Sequence, residues 1–383
     1  MIELNIIGVT SVSDLYPNVK YKIPLIAALP DVSVSTTIYD LENSGHFKTL
    51  NSRNPIKKIF SMLRYLWATL WVYFKTITLN KPNIYICYPG VFLALLFSFI
   101  PRSRRPFIFF DAFISLYDTA INDRTLYVPN SFIARFVYWA ECRAFRVSDR
   151  IITDTEENAE FYAGLFRLAR EKFEVIYLCI PPIERPVEAE HDDDTFNCLF
   201  IGSFVPLHGI QYILQAVSTL QDQAHIKYKF IGDGQDAHLL DEFLHTNPHS
   251  NVNWDRGFYP TSYLIQEISK ADLCLGIFGH TQKTDRVIPY KVYYYAAAGK
   301  AFITRESSSF RRINRQLDMP LTLDSGHNAQ ELAKMITEFS SDKSLQKKQE
   351  IAATEFFQRH LSQEAIREKL SDMLNTHARI KAS

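Results

Sequence analysis

The sequence predicts an α/β protein built from two parallel, doubly wound sheets, each a Rossmann-like domain. Three observations carry that expectation. Short β-branched or aromatic runs alternate with longer helical stretches over most of the chain. A single stretch rich in proline and acidic residues, beginning near residue 183, interrupts the alternation, which then starts again. The length, 383 residues, is too great for one compact α/β unit and suits two. The domains are therefore expected at 1–182 and 197–343, with a linker at 183–196 and a charged helical tail at 344–383.

The first series of strands is expected at Leu4–Val9, Val32–Ile38, Ile84–Tyr88, Pro106–Phe110, Arg150–Thr153 and Phe173–Tyr177. The linker follows as Ile180-Pro-Pro-Ile-Glu-Arg-Pro and then Glu188-Ala-Glu-His-Asp-Asp-Asp194. A second series is expected at Asn197–Ile201, Tyr228–Ile231, Val252–Trp254, Leu273–Gly276 and Ala301–Thr304, with helical patterns such as Gly209–Leu220 and Ala237–Leu244 between them.

Composition excludes several classes of function. With 28 Phe and 20 Tyr the chain has ample surface to bury, which argues against disorder. A formal net charge of zero gives no electrostatic basis for whole-chain nucleic-acid binding. Cys87, Cys142, Cys179, Cys198 and Cys274 share no CxxC spacing and lie in or near apolar runs, so buried thiols fit better than disulfides or a zinc site. The N-terminus has no basic segment ahead of an apolar one, and no uncharged apolar run reaches 18 residues. A cytoplasmic protein is expected.

Charge is unevenly distributed. Between Asn43 and Phe110 the chain carries no Asp or Glu, while the same 68 residues hold ten Lys and Arg. Inside this window Ile59–Phe74 reads as a helix containing Trp67 and Trp71, with Lys57, Arg64, Trp71 and Lys75 on one stripe. Basic residues with Trp on an apolar helix suit an anionic membrane interface. A core helix with snorkelling ends is the alternative. Val91–Ile100, followed by Pro101 and three arginines, is equally a second contact or a buried helix. Peripheral association with the inner face of a membrane is the expectation.

Three segments of the second half point to chemistry. Leu199-Phe-Ile-Gly-Ser-Phe-Val-Pro-Leu-His-Gly-Ile210 reads as strand, glycine-containing loop and helix start, an arrangement whose backbone N–H groups suit an anion. Ser203 adds a hydroxyl there and His208 a potential cation; a purely structural strand-to-helix turn is the alternative. The next strand ends in Ile231-Gly-Asp-Gly234, where Gly232 and Gly234 permit close approach of a ligand. The third segment, Asp285-Arg-Val-Ile-Pro-Tyr-Lys-Val-Tyr-Tyr-Tyr-Ala-Ala-Ala-Gly-Lys-Ala-Phe-Ile-Thr304, reads as a helix starting near Pro289 and stopping at Gly299. Arg286 and Lys291 flank its start, and two cations at a helix start facing a glycine loop are what a diphosphate leaving group needs.

In this order and spacing the three segments resemble the donor domain of family 4 glycosyltransferases, whose pattern is G-x-x-x-P-x-x-G-I, I-G-x-G and P-x-K-x-x-E-A-x-A-x-G-K-P-V-I. Phe109-Phe-Asp-Ala-Phe-Ile-Ser-Leu-Tyr-Asp-Thr119 and Ser148-Asp-Arg-Ile-Ile-Thr-Asp-Thr155 are similar to acceptor-domain segments of one branch of that family. The resemblance implies the GT-B fold, with the two domains facing a central cleft. It also implies transfer from a UDP- or GDP-linked sugar to a glycan or lipid-linked acceptor, with retention of configuration. A donor site of Gly202, Ser203, Gly232, Gly234, Arg286 and Tyr294 follows, with His208 and Lys291 on the diphosphate. Where the family carries two glutamates eight residues apart, this chain has Arg286 and Tyr294. A tyrosine offers one hydroxyl, not a bidentate carboxylate.

In the first half, Asp111 at a strand end is expected to orient an acceptor hydroxyl, with helix N-capping as its structural alternative. Ser115 and Asp118 are the accompanying acceptor candidates. Tyr293 and Tyr295 read equally as helix packing. No metal-ligand spacing occurs, and no DxD motif outside the acidic linker, so no metal and no cofactor is expected. A nucleotide-sugar epimerase and a non-catalytic partner subunit remain the rival readings.

Overall fold

Strands that pack helices on both faces must be apolar almost throughout, and the central strands here are. Ile6, Ile7, Ile84, Ile86, Ile108 and Phe110 are all buried in the first half, and Leu199, Phe200, Phe230 and Leu275 in the second. The computed structural model describes residues 1–13, 16–41, 55–183, 194–248, 251–315 and 329–382. The acidic run at 188–193 and the basic residues Lys48 and Arg53 lie outside the described residues.

The chain divides into two units, Met1–Pro181 with Gln363–Ser383, and Pro182–Ser362. The first contains β1 (Ile2–Thr10), β2 (Val32–Asp40), β3 (Asn83–Ile86), β4 (Phe107–Asp111), β5 (Arg150–Thr153) and β6 (Phe173–Val175). All pair in parallel, in the order β2-β1-β3-β4-β5-β6. Its helices are α1 (Pro17–Ala27), α2 (Pro55–Leu79), α3 (Val91–Phe97), α4 (Phe132–Val147) and α5 (Glu156–Phe166). Ala68 and Val72 of α2, Leu93 and Phe97 of α3, Phe145 of α4 and Tyr162 of α5 share one core layer. Val19 and Ile26 of α1 belong to the other.

The second unit contains β7 (Phe196–Gly202), β8 (Ile226–Gly232), β9 (Val252–Arg256), β10 (Leu273–Leu275) and β11 (Phe302–Ile303), parallel in the order β11-β10-β7-β8-β9. Its helices are α6 (Ile210–Thr219), α7 (Ala237–Thr246), α8 (Thr261–Lys270), α9 (Tyr290–Ala297), α10 (Ser308–Asn314), α11 (Ala329–Ser341) and α12 (Lys343–Phe356). Side-chain caps fix several helix starts: Thr155 accepts from the Asn158 N–H, Ser307 from Phe310 and Asp342 from Leu345. Each contributes about 1 kcal/mol.

The tail differs from the expectation of one segment at 344–383. Its first helix, α12, stays with the second unit. Its second, α13 (Gln363–Ala382), belongs to the first unit, where Ile366, Leu370, Met373 and Leu374 complete the layer that holds Val19 and Ile26 of α1. All five cysteines are buried and unbridged, and burial pushes the Cys179 and Cys274 thiols up to about 12.

Candidate functional site

In an open parallel sheet the ligand crevice lies beyond the strand carboxyl ends, where the chain reverses its direction of strand addition. In the second unit that point falls between β7 and β10, because the chain runs β7-β8-β9 to one side and then returns to β10 on the other. Gly202 ends β7 there. A Cβ added to it would lie 2.7 Å from His208 Cε1 and 3.0 Å from Lys291 Nζ. The structure thus brings Gly202, His208 and Lys291 together, although 89 positions separate the first from the last.

Local structure explains the meeting. After Gly202 the backbone turns at Phe204, held at φ +37° with its ring buried and stacked on Trp254 at 5.9 Å. Positive φ is costly for a bulky residue, so this ring contact fixes the loop. The loop then runs between two neighbours. On one side Asp236 N–H donates to the Phe204 carbonyl (2.8 Å), and on the other Phe278 N–H donates to the His208 carbonyl (3.0 Å) and Gly279 N–H to that of Leu207 (3.1 Å). Gly209, at φ +64°, leads into α6. A Cβ there would lie 2.4 Å from Phe278 and Gly279 backbone atoms, so only glycine fits.

Lys291 projects from the first turn of α9. Its Nζ donates to the Gly276 carbonyl at 3.2 Å and sits 3.6 Å from the centroid of the Phe200 ring. No carboxylate of the described residues pairs with it. Burial pushes its pKa well below the ordinary lysine value. Neither α6 nor α9 has a side-chain cap, and a helix N-terminus favours an anion. The His208 ring meets Phe200 edge-on at 5.8 Å.

The other expected donor residues are placed as follows. Ser203 is exposed, immediately after Gly202. Gly232 and Gly234 sit at φ +140° and +156°, and a Cβ on either would strike the carbonyl oxygen of Gly202 or Ser203 at 1.8 or 1.9 Å. Their glycine identity therefore serves loop-to-loop approach. Arg286 is buried, with Nε donating to the Gln282 carbonyl at 3.3 Å. Tyr294 is buried against Tyr290, 5.5 Å between ring centroids. Tyr295 bridges two strands: its hydroxyl donates to the Leu275 carbonyl and accepts from the Ile201 N–H, both at 3.3 Å. Tyr293 is fully buried, so both tyrosines pack the helix onto the sheet.

In the first unit Asp111 ends β4, and both it and Lys22 of α1 are only 2% exposed. Asp111 Oδ2 accepts from Lys22 Nζ and from the Tyr85 hydroxyl, each at 2.8 Å. Burial alone would lower the Lys22 pKa, but the charge and hydrogen bond of Asp111 outweigh it and hold it above the ordinary value. The carboxylate is therefore buried in an ion pair rather than serving as an N-cap. Ser115 is buried and donates to Glu141 Oε2 at 2.7 Å. Asp118 is buried and accepts from Asn122 Nδ2 at 3.2 Å.

Sequence reasoning missed Glu141. It is fully buried and accepts from Leu116 N–H (2.7 Å), Tyr117 N–H (2.9 Å) and Ser115 Oγ, pinning the loop that carries Ser115 and Asp118. Burial lifts its carboxyl to about 7 against the pull of those bonds. Its position was legible: at helical spacing it shares the buried stripe of Ala134 and Phe145. Also missed was an aromatic cluster next to the first unit's own reversal point, between β1 and β3. Tyr88 meets Tyr16 at 6.1 Å and Phe113 at 4.6 Å, and its carbonyl accepts from Thr10 Oγ1 at 2.7 Å.

The comparisons with known proteins agree with the two-sheet fold. Anabaena Alr3699/HepE in complex with UDP-glucose superposes with a TM-score of 0.67 at 12% identity, over 97% of this chain and 99% of that one. The fold is that of the GT-B glycosyltransferases. WaaG, a glycosyltransferase involved in lipopolysaccharide biosynthesis, has the same GT-B fold with a TM-score of 0.64, 12% identity and coverage of 97% and 99%. The lipopolysaccharide outer core galactosyltransferase WaaB follows at 0.63, 11% identity and coverage of 98% and 100%. In sequence, residues 183–356 match the glycosyl transferases group 1 family, a span lying within the second unit. No curated protein matches the chain in sequence. Among the described residues, no group of three or more His, Cys, Asp or Glu could hold a metal ion.

Proposed function

We propose that this chain transfers a sugar from a nucleoside diphosphate sugar to a hydroxyl of a cell-envelope or lipid-linked glycan, with retention of configuration. The observation that supports this best is the convergence of Lys291 and His208 over Gly202 at the sheet's reversal point. A buried ammonium with no carboxylate partner gains most from an incoming dianion. The diphosphate would lie across Gly202 and Ser203, against the uncapped first turns of α6 and α9. In the transfer, the bond from the anomeric carbon to the phosphate oxygen breaks, and a bond to the acceptor oxygen forms on the same face. The acceptor proton passes to the departing phosphate oxygen. Stabilising that oxygen is the main contribution of His208 and Lys291, worth several kcal/mol. A UDP sugar is the first donor to test, because UDP-glucose is what the HepE relative holds.

Calorimetry with UDP and UDP-glucose, followed by turnover in the presence of EDTA, tests the reading. Lys291→Ala should weaken donor binding by about 1.5–3 kcal/mol, the worth of a charge-assisted hydrogen bond. The pH dependence has a definite sign. Burial lowers the Lys291 pKa, and a bound dianion raises it. Binding therefore takes up a proton between the two pKa values, and affinity falls as pH rises through that window. Unchanged affinity and turnover in the His208→Ala/Lys291→Ala variant would reject the assignment. The packing of Tyr294 on Tyr290, with no carboxylate offered to a ribose, favours one second reading: a donor-binding subunit without turnover. Donor binding without product in the same assay would identify it.

A further inference from the structure

Helix α2 is built inside out. Its buried stripe consists of small or polar residues, Ser61, Ala68, Thr69, Val72 and Thr76. Its large apolar side chains face outward, with Phe60 67% and Trp67 56% exposed, and Met62, Leu63, Leu70 and Phe74 also exposed. A surface helix of a globular protein has the opposite arrangement. A core helix is excluded, because the tryptophans are outside.

Helix α4 repeats the pattern. Phe132, Phe136 and Trp139 lie on one outward stripe at spacings of four and three, with Phe132 86% exposed, and Arg143 and Arg146 continue it. Phe136 stacks on Trp139 at 5.9 Å, and the Arg143 guanidinium lies over the rings of both Trp139 and Phe99. The exposed loop Leu126-Tyr127-Val128 leads into this helix. Between the two helices lies α3, joined to α2 by Tyr65–Phe92 and Tyr73–Phe97 ring contacts. All three pack on the same face of the first sheet.

Charge decides the occupant. No acidic residue occurs from 43 to 110, and the only acid of α4, Glu141, is buried. Among the described residues, outward basic side chains include Lys57 and Lys75 on α2, Arg104 after α3, and Arg135, Arg143 and Arg146 on α4, while Arg102 is outward but paired with Asp149 at 3.2 Å. Lys75 rests on the Trp71 ring at 4.8 Å. Aromatic rings and cations on an apolar ground, with no exposed acid among them, match an anionic lipid interface. No described helix is long and apolar enough to cross a membrane.

We infer that the outward faces of α2 and α4 form one surface that docks the first unit on an anionic membrane, the Trp67/Trp71 and Phe136/Trp139 pairs entering the interface together. Either helix alone gives a narrow stripe; the pair defines a plane and so an orientation. Each basic residue near the lipid surface adds about fivefold in affinity, and the gain shrinks with salt.

The full-length chain is tested by co-sedimentation with vesicles of phosphatidylcholine alone and with vesicles of phosphatidylcholine mixed with anionic phosphatidylglycerol. Three of the four tryptophans lie on this surface, so intrinsic fluorescence reads the same event. Expected are binding to the anionic vesicles at low salt, a blue shift, and release at high salt. Trp67→Ser/Trp71→Ser and Phe136→Ser/Trp139→Ser should each lose at least tenfold in vesicle affinity. Their melting temperature and calorimetric UDP binding should be unchanged, which separates docking from folding and from the donor site. A wild-type chain that ignores anionic vesicles at low salt overturns the inference. So does self-association by sedimentation velocity, abolished by the α4 variant without any lipid binding, since a second copy would then cover the face. Lowered melting temperatures in both variants would also reject it, by showing the aromatic pairs to be core.

Discussion

Lys22 and Asp111 form a buried ion pair whose two members are 89 positions apart. Removing one partner leaves the other charged and desolvated, which costs about 3–5 kcal/mol, whereas replacing both by apolar residues is often near neutral. Asp111→Asn should therefore lower stability in that range, and Lys22→Met/Asp111→Leu should recover most of the loss in chemical denaturation. If Asp111 instead orients an acceptor hydroxyl, Asp111→Asn would lower turnover while leaving stability unchanged. Both buried charges were open to sequence reading. Lys22 shares a helical stripe with Val19 and Ile26, as Glu141 does with Ala134 and Phe145. A charge on the apolar face of a helix announces burial. It does not announce its partner, because partners from distant strands are set by tertiary packing.

At the scale of elements, strands were the most legible. Central parallel strands must be apolar on both faces, so every expected strand lies within a residue or two of the observed one. The helix at Ile59–Phe74 was legible as a helix but not as a core or surface one, since its sequence is apolar nearly all round and only the buried Ser61, Ala68 and Thr69 fix its orientation. The glycine loops were legible as tight turns; that Gly232 and Gly234 also make room for the neighbouring loop depended on tertiary contacts. Gly232 and Gly257 have similar backbones, φ +140° and +130°, but different surroundings. A Cβ on Gly232 would lie 1.8 Å from the Gly202 oxygen, while one on Gly257 meets nothing nearer than 3.9 Å. Both alanine variants carry the backbone strain of positive φ, about 1–2 kcal/mol. Gly232→Ala adds a collision in the donor loop. It should lose more stability than Gly257→Ala and should also weaken UDP binding, with Gly257→Ala near wild type in the calorimeter. Equal effects in the two would show that strain alone matters and that the loop has room.

At the scale of the whole molecule, 12% identity to HepE accompanies a TM-score of 0.67 over nearly the full chain. Periodicity and loop chemistry survive such divergence where residue identity does not, and for that reason a two-sheet fold could be read from one sequence. The tail could not be, because a charged amphipathic helix does not specify which core it joins. Its placement makes the first unit discontinuous: Met1–Pro181 is completed by Gln363–Ser383. Ile366, Leu370, Met373 and Leu374 of α13 are buried in the layer with Val19 and Ile26. Each such side chain contributes about 1.5–3 kcal/mol on burial, so four amount to as much as the 5–15 kcal/mol that stabilises a typical domain. A fragment ending at residue 181 should fail to fold cooperatively, seen as loss of near-ultraviolet dichroism and a broad melt. Pro182–Ser362 has no such dependence and should fold alone and bind UDP. Adding the 363–383 peptide in trans should restore a cooperative melt to the first fragment. If 1–181 melts as sharply without the peptide as with it, α13 is a surface appendage and its four apolar side chains do not complete the core.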